Sequence, residues 1–252
     1  MILKDDAIVL RIYPFGNTSR SVVWLTRQHG KIVTLAKGSQ RPGSALLGQF
    51  DLFYTCEVLF YAREQRQVHI LKEALPLHTR DGLRRDWRAC AVASYSAHLF
   101  NRALPLGPAP TSAFQLLAST LDHVAAHSPG PAFLLRLEAL FLQELGLAPD
   151  WTTCAKCRRP LADEPSAFFE AAQGALHCPL CANGHERPIA PASIAALQTV
   201  SAQTPLPAAL PRRVFLELQA LLGDLLIHHA DLALDSRKLA FEVLRTKTTP
   251  DG

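Results

Sequence analysis

Along the chain the spacing of apolar positions changes near Pro76. Before it, apolar and polar residues alternate in short runs; after it, apolar residues recur every three or four positions. Ala7–Tyr13 is a β-branched, apolar run closed by Pro14 and Gly16-Asn17, and Ser21–Thr26 follows it. Beyond the turn Gln28-His-Gly30, Lys31, Val33 and Leu35 alternate with Ile32, Thr34 and Ala36, the period of a half-buried strand. A basic loop, Lys37 to Gly43, precedes Phe50–Tyr61, and a charged turn, Arg63 to Arg66, precedes Val68–Glu73. Five strands in about 75 residues, with no helix to cover them, must avoid open edges. Closure into a small barrel does this. The oligonucleotide-binding barrel is the common five-stranded form; SH3-like barrels have similar strand counts.

From Pro76 onward the pattern is helical. Arg84–Leu104 has helical composition and stops at Pro105, and Thr111 predicts a cap for a helix to about His127. Pro131 opens a helix through Leu145, ended by Gly146, with Phe133, Leu134, Leu137, Leu140, Phe141 and Leu145 on one broad face. Arg136, Gln143 and Glu144 are turned away from it. Further helices are predicted near 191–202, over 212–230 behind Pro211, and from a Ser236 cap to about Lys247. The predicted class is α+β and multidomain. An oligonucleotide-binding barrel spans 1–79, a helical bundle domain 80–150 and 188–247, a metal-binding module 151–187, and a frayed tail 248–252.

The module is predicted from its cysteines. Four of the six in the chain form two Cys-x-x-Cys pairs, Cys154 with Cys157 and Cys178 with Cys181. Each such turn directs two thiolates into one space, and two turns complete a tetrahedron around Zn²⁺. Four protein ligands leave no open coordination position, so one structural zinc per chain is expected rather than a catalytic one. His177 and His185 lie close enough in sequence to replace one sulfur, and two disulfides are the competing use of the same thiols. Between the pairs, Phe168-Phe169 and Gln173-Gly174 predict a short hairpin. Thiols of this kind, with no signal peptide and no apolar run approaching the ~18 residues of a membrane span, predict a cytoplasmic setting without membrane contact.

Charge sharpens the functional reading. Residues 1–88 hold 14 Lys and Arg against 8 Asp and Glu, whereas the remainder holds 12 against 14. A basic first third suggests a polyanionic partner, although a merely solvated face has the same composition. Its cations are interleaved with Tyr13 and Trp24: Arg20, Arg27, Lys31, Lys37, Arg41, Arg63 and Arg66. A positive groove with flat side chains is what sequence-tolerant binding of nucleic acid requires. For Tyr13 and Trp24, core packing is the competing use. No phosphate-binding glycine loop, nucleophile elbow or His-Glu-x-x-His is present, and Asp5-Asp6 has no visible partner carboxylate. No enzyme activity is expected.

The stretches Ala7-Ile-Val-Leu, Asn17-Thr-Ser, His29-Gly-Lys31 and Leu35-Ala-Lys-Gly38 resemble the opening of the RecO family. Phe133-Leu-Leu-Arg-Leu-Glu, Leu145-Gly-Leu-Ala-Pro149 before the first cysteine pair, and Ser236-Arg-Lys-Leu extend the resemblance in order over the chain. It implies a non-enzymatic mediator of DNA repair and recombination that binds single- and double-stranded DNA and anneals complementary strands. Such a mediator acts with RecR to help load RecA onto DNA coated by single-strand-binding protein, whose acidic tail it also contacts. By motif position, Lys37 and Arg41 fall on a DNA-facing loop, with Lys31 on the strand leading into it. Relatives often carry more basic residues here, whereas Arg41 is followed by Pro-Gly-Ser-Ala-Leu-Leu-Gly, so Arg84, Arg85 and Arg88 are expected to contribute. Arg237, Lys238 and Arg245 on the last helix are the candidates for the acidic tail. A protein-contact adaptor and a metal-dependent nuclease are the rival readings.

Overall fold

The computed structural model describes residues 1–62, 67–162, 164–201, 210–230 and 232–246. The expected tail 248–252 and the candidate cations Arg63 and Arg66 lie outside them. The chain falls into two compact units, Met1–Ser128 and Pro129–Gly252.

The first unit opens with β1 (Ile2–Phe15), β2 (Ser19–Thr26), β3 (Gly30–Ala36), β4 (Thr55–Tyr61) and β5 (Val68–His78). They close in the order β1-β2-β3-β5-β4, antiparallel except for the β3–β5 pair. This is a five-stranded barrel of the oligonucleotide-binding kind. Ala7, Val9, Val22, Trp24, Ile32, Ala36, Cys56, Val58, Phe60 and Leu71 fill its interior. The indole N–H of Trp24 donates to Thr34 Oγ1 at 2.8 Å, so a buried donor is satisfied inside the barrel. Trp24 is a core residue.

Strand limits differ from expectation where side chains reach across the fold. Asp5 brings β1 forward: its buried carboxylate accepts from the Gln28 and His29 amides at 2.9 and 3.3 Å and faces His29 Nδ1 at 2.8 Å. Asp6 holds Arg27. The acidic pair is therefore structural. Residues 50–54 turn instead of extending β4, with Tyr54 N donating to Asp51 O and Phe53 at φ 69°. β5 runs through Pro76 because the β4–β5 ladder shifts register between Thr55 and Cys56, beside Pro76.

Helices α1 (Trp87–Ala103) and α2 (Thr111–Ala126) belong to the same compact unit as the barrel, whereas the sequence grouped them with the later helices. The Lys31 and Gly107 backbones bond in both directions, at 2.9 and 2.8 Å, tying the α1–α2 connection to β3. Gly30 permits this approach: at φ 68° any Cβ would lie 2.1 Å from Gly107 O. Arg84 falls in a short 3₁₀ turn, Asp81–Arg84, and α1 starts later, behind an Asp86 side chain that accepts from Arg88 N. Thr111 is not a cap; α2 starts behind Pro110 without a side-chain cap.

The second unit contains α3 (Pro131–Glu144), β6 (Ala167–Glu170), β7 (Ala175–His177), β8 (Arg187–Ile189), α4 (Pro191–Ser201), α5 (Arg212–Ala230) and α6 (Asp235–Arg245). Pro131 occupies the first turn of α3, where its missing N–H costs nothing. The α3 surface is buried on more sides than one broad face, because Glu138 also turns inward and pairs with Arg237. The predicted hairpin is β6–β7, and β8 adds to it in the order β7-β6-β8. Ser236 does not cap α6, which begins at Asp235 behind Leu234. Among the described residues, no helix is long and apolar enough to cross a membrane.

Candidate nucleic-acid interface and metal centre

Backbone turns build the cysteine centre. Arg158 N donates to Cys154 O at 2.9 Å, and Cys181 and Ala182 N both donate to Cys178 O at 3.0 and 3.1 Å. Ala155 N donates to Leu176 O at 2.8 Å, drawing the two turns together. All six cysteines are free, so the disulfide alternative falls away. The four sulfurs of Cys154, Cys157, Cys178 and Cys181 lie within 4.8 Å of one another, an arrangement that could hold a metal ion. Burial opposes ionisation of Cys154, but backbone N–H donors, that of Cys157 foremost, outweigh it and bring the thiol to about 6. Hydrogen bonding to Cys157, then burial, pushes Cys181 up to about 12. His177 stands apart from the sulfurs and faces Glu170 and Glu186, and His185 is exposed.

The barrel's cations separate by their surroundings. Lys4, Arg27 and Lys72 face Glu57, Asp6 and Glu73. Arg80 is buried, donating to Asp122, Phe53 O and Thr55. Lys31, a predicted DNA contact, is also buried and donates from Nζ to Asn101 O at 2.6 Å. Burial first, and then Arg102, lowers its pKa. Lys31 anchors α1 to the barrel and is withdrawn from solvent.

Arg20, Lys37 and Arg41 are brought together at one end. Arg20 pairs in register with Ala36, so Lys37 follows beside it. Gln40 N donates to Thr18 O at 2.9 Å, and Gly38 N to Ser19 Oγ at 3.0 Å, laying the β3–β4 loop along the β1–β2 turn. The Arg41 stem crosses Gly38. Lys37 and Arg41 are exposed, Arg20 is half-buried, and among the described residues none of the three has a carboxylate partner.

Two aromatics stand at the same end. Tyr13 pairs with Ser21 and Phe15 with Ser19, and they are 45 % and 56 % exposed. Arg11 lies 5.7 Å from the Tyr13 ring. Tyr13 is not a core residue: a bulge between Val9 and Arg11 reverses the strand's parity and turns Arg11, Tyr13 and Phe15 outward. Arg11 and Phe15 were missed from sequence; their shared parity with Tyr13 was the available signal.

Arg84, Arg85 and Arg88 do not form a comparably free group. Arg84 is held by Asp51 at 2.8 Å and Tyr54 at 3.1 Å. Arg85 is exposed; Arg88 is half-buried, 5.7 Å from the Trp87 ring. On the last helix, Lys238 and Arg245 are exposed, with Arg245 donating to Gln219 Oε1. Arg237 is buried against Glu138 and Gln219 O, so it offers no charge to a peptide.

Residues 1–80 match the family model "Recombination protein O N terminal", and residues 84–238 match "Recombination protein O C terminal". A DNA repair protein RecO from Anaeromyxobacter sp. (strain Fw109-5) is 31 % identical over 250 residues, 96 % of either chain. One from Geobacter metallireducens is 32 % identical over 180 residues, 71 % of either chain.

Proposed function

The chain belongs to the RecO family of DNA repair proteins, and from that premise we propose that it is a non-enzymatic recombination mediator that binds and anneals DNA. The carrying observation is the barrel end where, among the described residues, Arg20, Lys37 and Arg41 lack carboxylate partners beside exposed Tyr13 and Phe15. Cations there take up phosphate charge, and the rings accept bases by stacking. Two strands held on one cationic surface repel each other less, while their base edges stay free to pair. Single strands use charge and rings together; duplex uses charge alone.

The cysteine centre takes one Zn²⁺, because four sulfurs at this spacing form a closed site for a soft or borderline ion. Its role is to fold the knuckle. RecR is the partner in loading RecA onto strands coated by single-strand-binding protein. The acidic tail of that protein is read by exposed Lys238 and Arg245, with exposed Leu239 on the same helix. The setting is cytoplasmic.

The direct test is annealing of complementary oligonucleotides by the pure protein, with and without single-strand-binding protein. Accelerated annealing with intact strands in Mg²⁺ is expected. Strand cleavage, or partner capture that survives nuclease while DNA binding is negligible, contradicts the reading.

A further inference from the structure

The small sheet of the second unit carries metal-type side chains that the sulfur centre does not use. Its register places them. Phe168 pairs with His177 across β6–β7 and with Pro188 across β6–β8. Side chains alternate along a strand, so His177, Glu170 (two beyond Phe168) and Glu186 (two before Pro188) share one face. Phe169, Leu176 and Arg187 share the other.

On the first face, one ligand atom from each of Glu170, His177 and Glu186 lies within 4.8 Å of the others. His177 is 7 % exposed, and its Nδ1 is buried with no hydrogen-bond partner among the described residues. This nitrogen is 3.5 Å from Glu186 Oε1 and 4.0 Å from Glu170 Oε2. Such separations are long for hydrogen bonds. They suit two ligands that each stand about 2.0–2.2 Å from one shared ion. Asn183 N donates to both Glu186 oxygens at 2.9 Å, which fixes the carboxylate as an outer-shell partner does.

We propose that Glu170, His177 and Glu186 form a second divalent-cation site, holding a zinc-class ion through one imidazole nitrogen and two carboxylate oxygens. An imidazole with two carboxylates suits borderline ions. Three protein ligands leave a coordination position open, unlike the closed sulfur centre. Glu170 and Glu186 line an open cavity of ≈ 580 Å³, through which the ion exchanges with solvent. His177 directly precedes Cys178, so an ion bound here also stiffens the second cysteine turn.

The test uses the full chain, stripped of metal and titrated with Co²⁺. The expected result is about two ions per chain, a tight one with thiolate charge-transfer bands and a weaker one adding only faint visible absorption. Glu170→Gln with Glu186→Gln should reduce this to about one ion and keep the thiolate bands, which report a folded knuckle. A wild type that binds only one ion, or a variant that keeps both with thiolate bands intact, overturns the proposal. A second readout needs no variant. The His177 ring resonances should shift on the second equivalent of Zn²⁺, and their failure to move through that addition also overturns it.

Discussion

Arg237 grips Glu138 by both nitrogens of its fork, Nε and Nη2 each 2.7 Å from a carboxylate oxygen, across 99 residues of chain. Gly223 makes room, since a Cβ there would lie 2.9 Å from Nη1 of the same arginine. Removing one partner of a buried pair strands the other charge, at a cost of about 3–5 kcal/mol, whereas replacing both with apolar residues of similar volume is often neutral. Arg237→Met should therefore destabilise the second unit strongly, and Arg237→Met with Glu138→Leu should recover most of the loss. Urea unfolding of the two variants checks this, and DNA affinity at low denaturant should stay at the wild-type value in both.

Tyr13 and Phe15 make a different prediction. As exposed rings they contribute little to the barrel core. Tyr13→Ala and Phe15→Ala should each weaken single-strand binding by about 1–3 kcal/mol, the worth of one stacked base. Duplex affinity and thermal stability should barely change. Equal losses on single strands and duplex would show that the rings do not stack on bases.

Cys56 should contribute to the barrel's loss of stability at alkaline pH. Burial pushes its thiol up to about 12, with Arg80 opposing. The folded state thus keeps a proton that the unfolded chain releases from about pH 9, so folding is favoured below that value and loses ground as pH rises toward 12. Cys56→Val should flatten this alkaline fall. Stability against pH between 8 and 11, measured for both proteins, is the check; parallel curves would deny Cys56 the role.

Removing the zinc proposed for the cysteine centre should separate folding from binding. Cys154→Ser, or a strong chelator, should lower the unfolding temperature of the second unit, because metal-binding free energy at such a centre is folding free energy. Oligonucleotide affinity carried by the barrel should survive. Calorimetry paired with a binding titration distinguishes the two effects.

What was legible in the sequence was local. The cysteine pairs, the β6–β7 hairpin, the α3 opening at Pro131 and the five barrel strands each depend on residues a few positions apart. What was missed depends on distant partners. Arg237 and Lys31 look like surface cations in sequence; Glu138 and the Asn101 carbonyl, 99 and 70 residues away, draw them inside. Tyr13 and Phe15 were hidden by one bulge, which reverses which side of β1 is buried. His177 looked like a spare sulfur substitute until the sheet register set it opposite Phe168.

The central claim is that phosphate charge is held at the barrel end by Arg20, Lys37 and Arg41. Its most direct test is single-strand affinity as a function of sodium chloride concentration, for wild type and for Lys37→Glu with Arg41→Glu. Each phosphate contact contributes about −0.7 to the slope of log K against log salt on single strands, so losing two should flatten the slope by roughly 1.4 and weaken binding to all sequences alike. A slope unchanged by the double substitution, or a loss confined to particular sequences, would contradict the account.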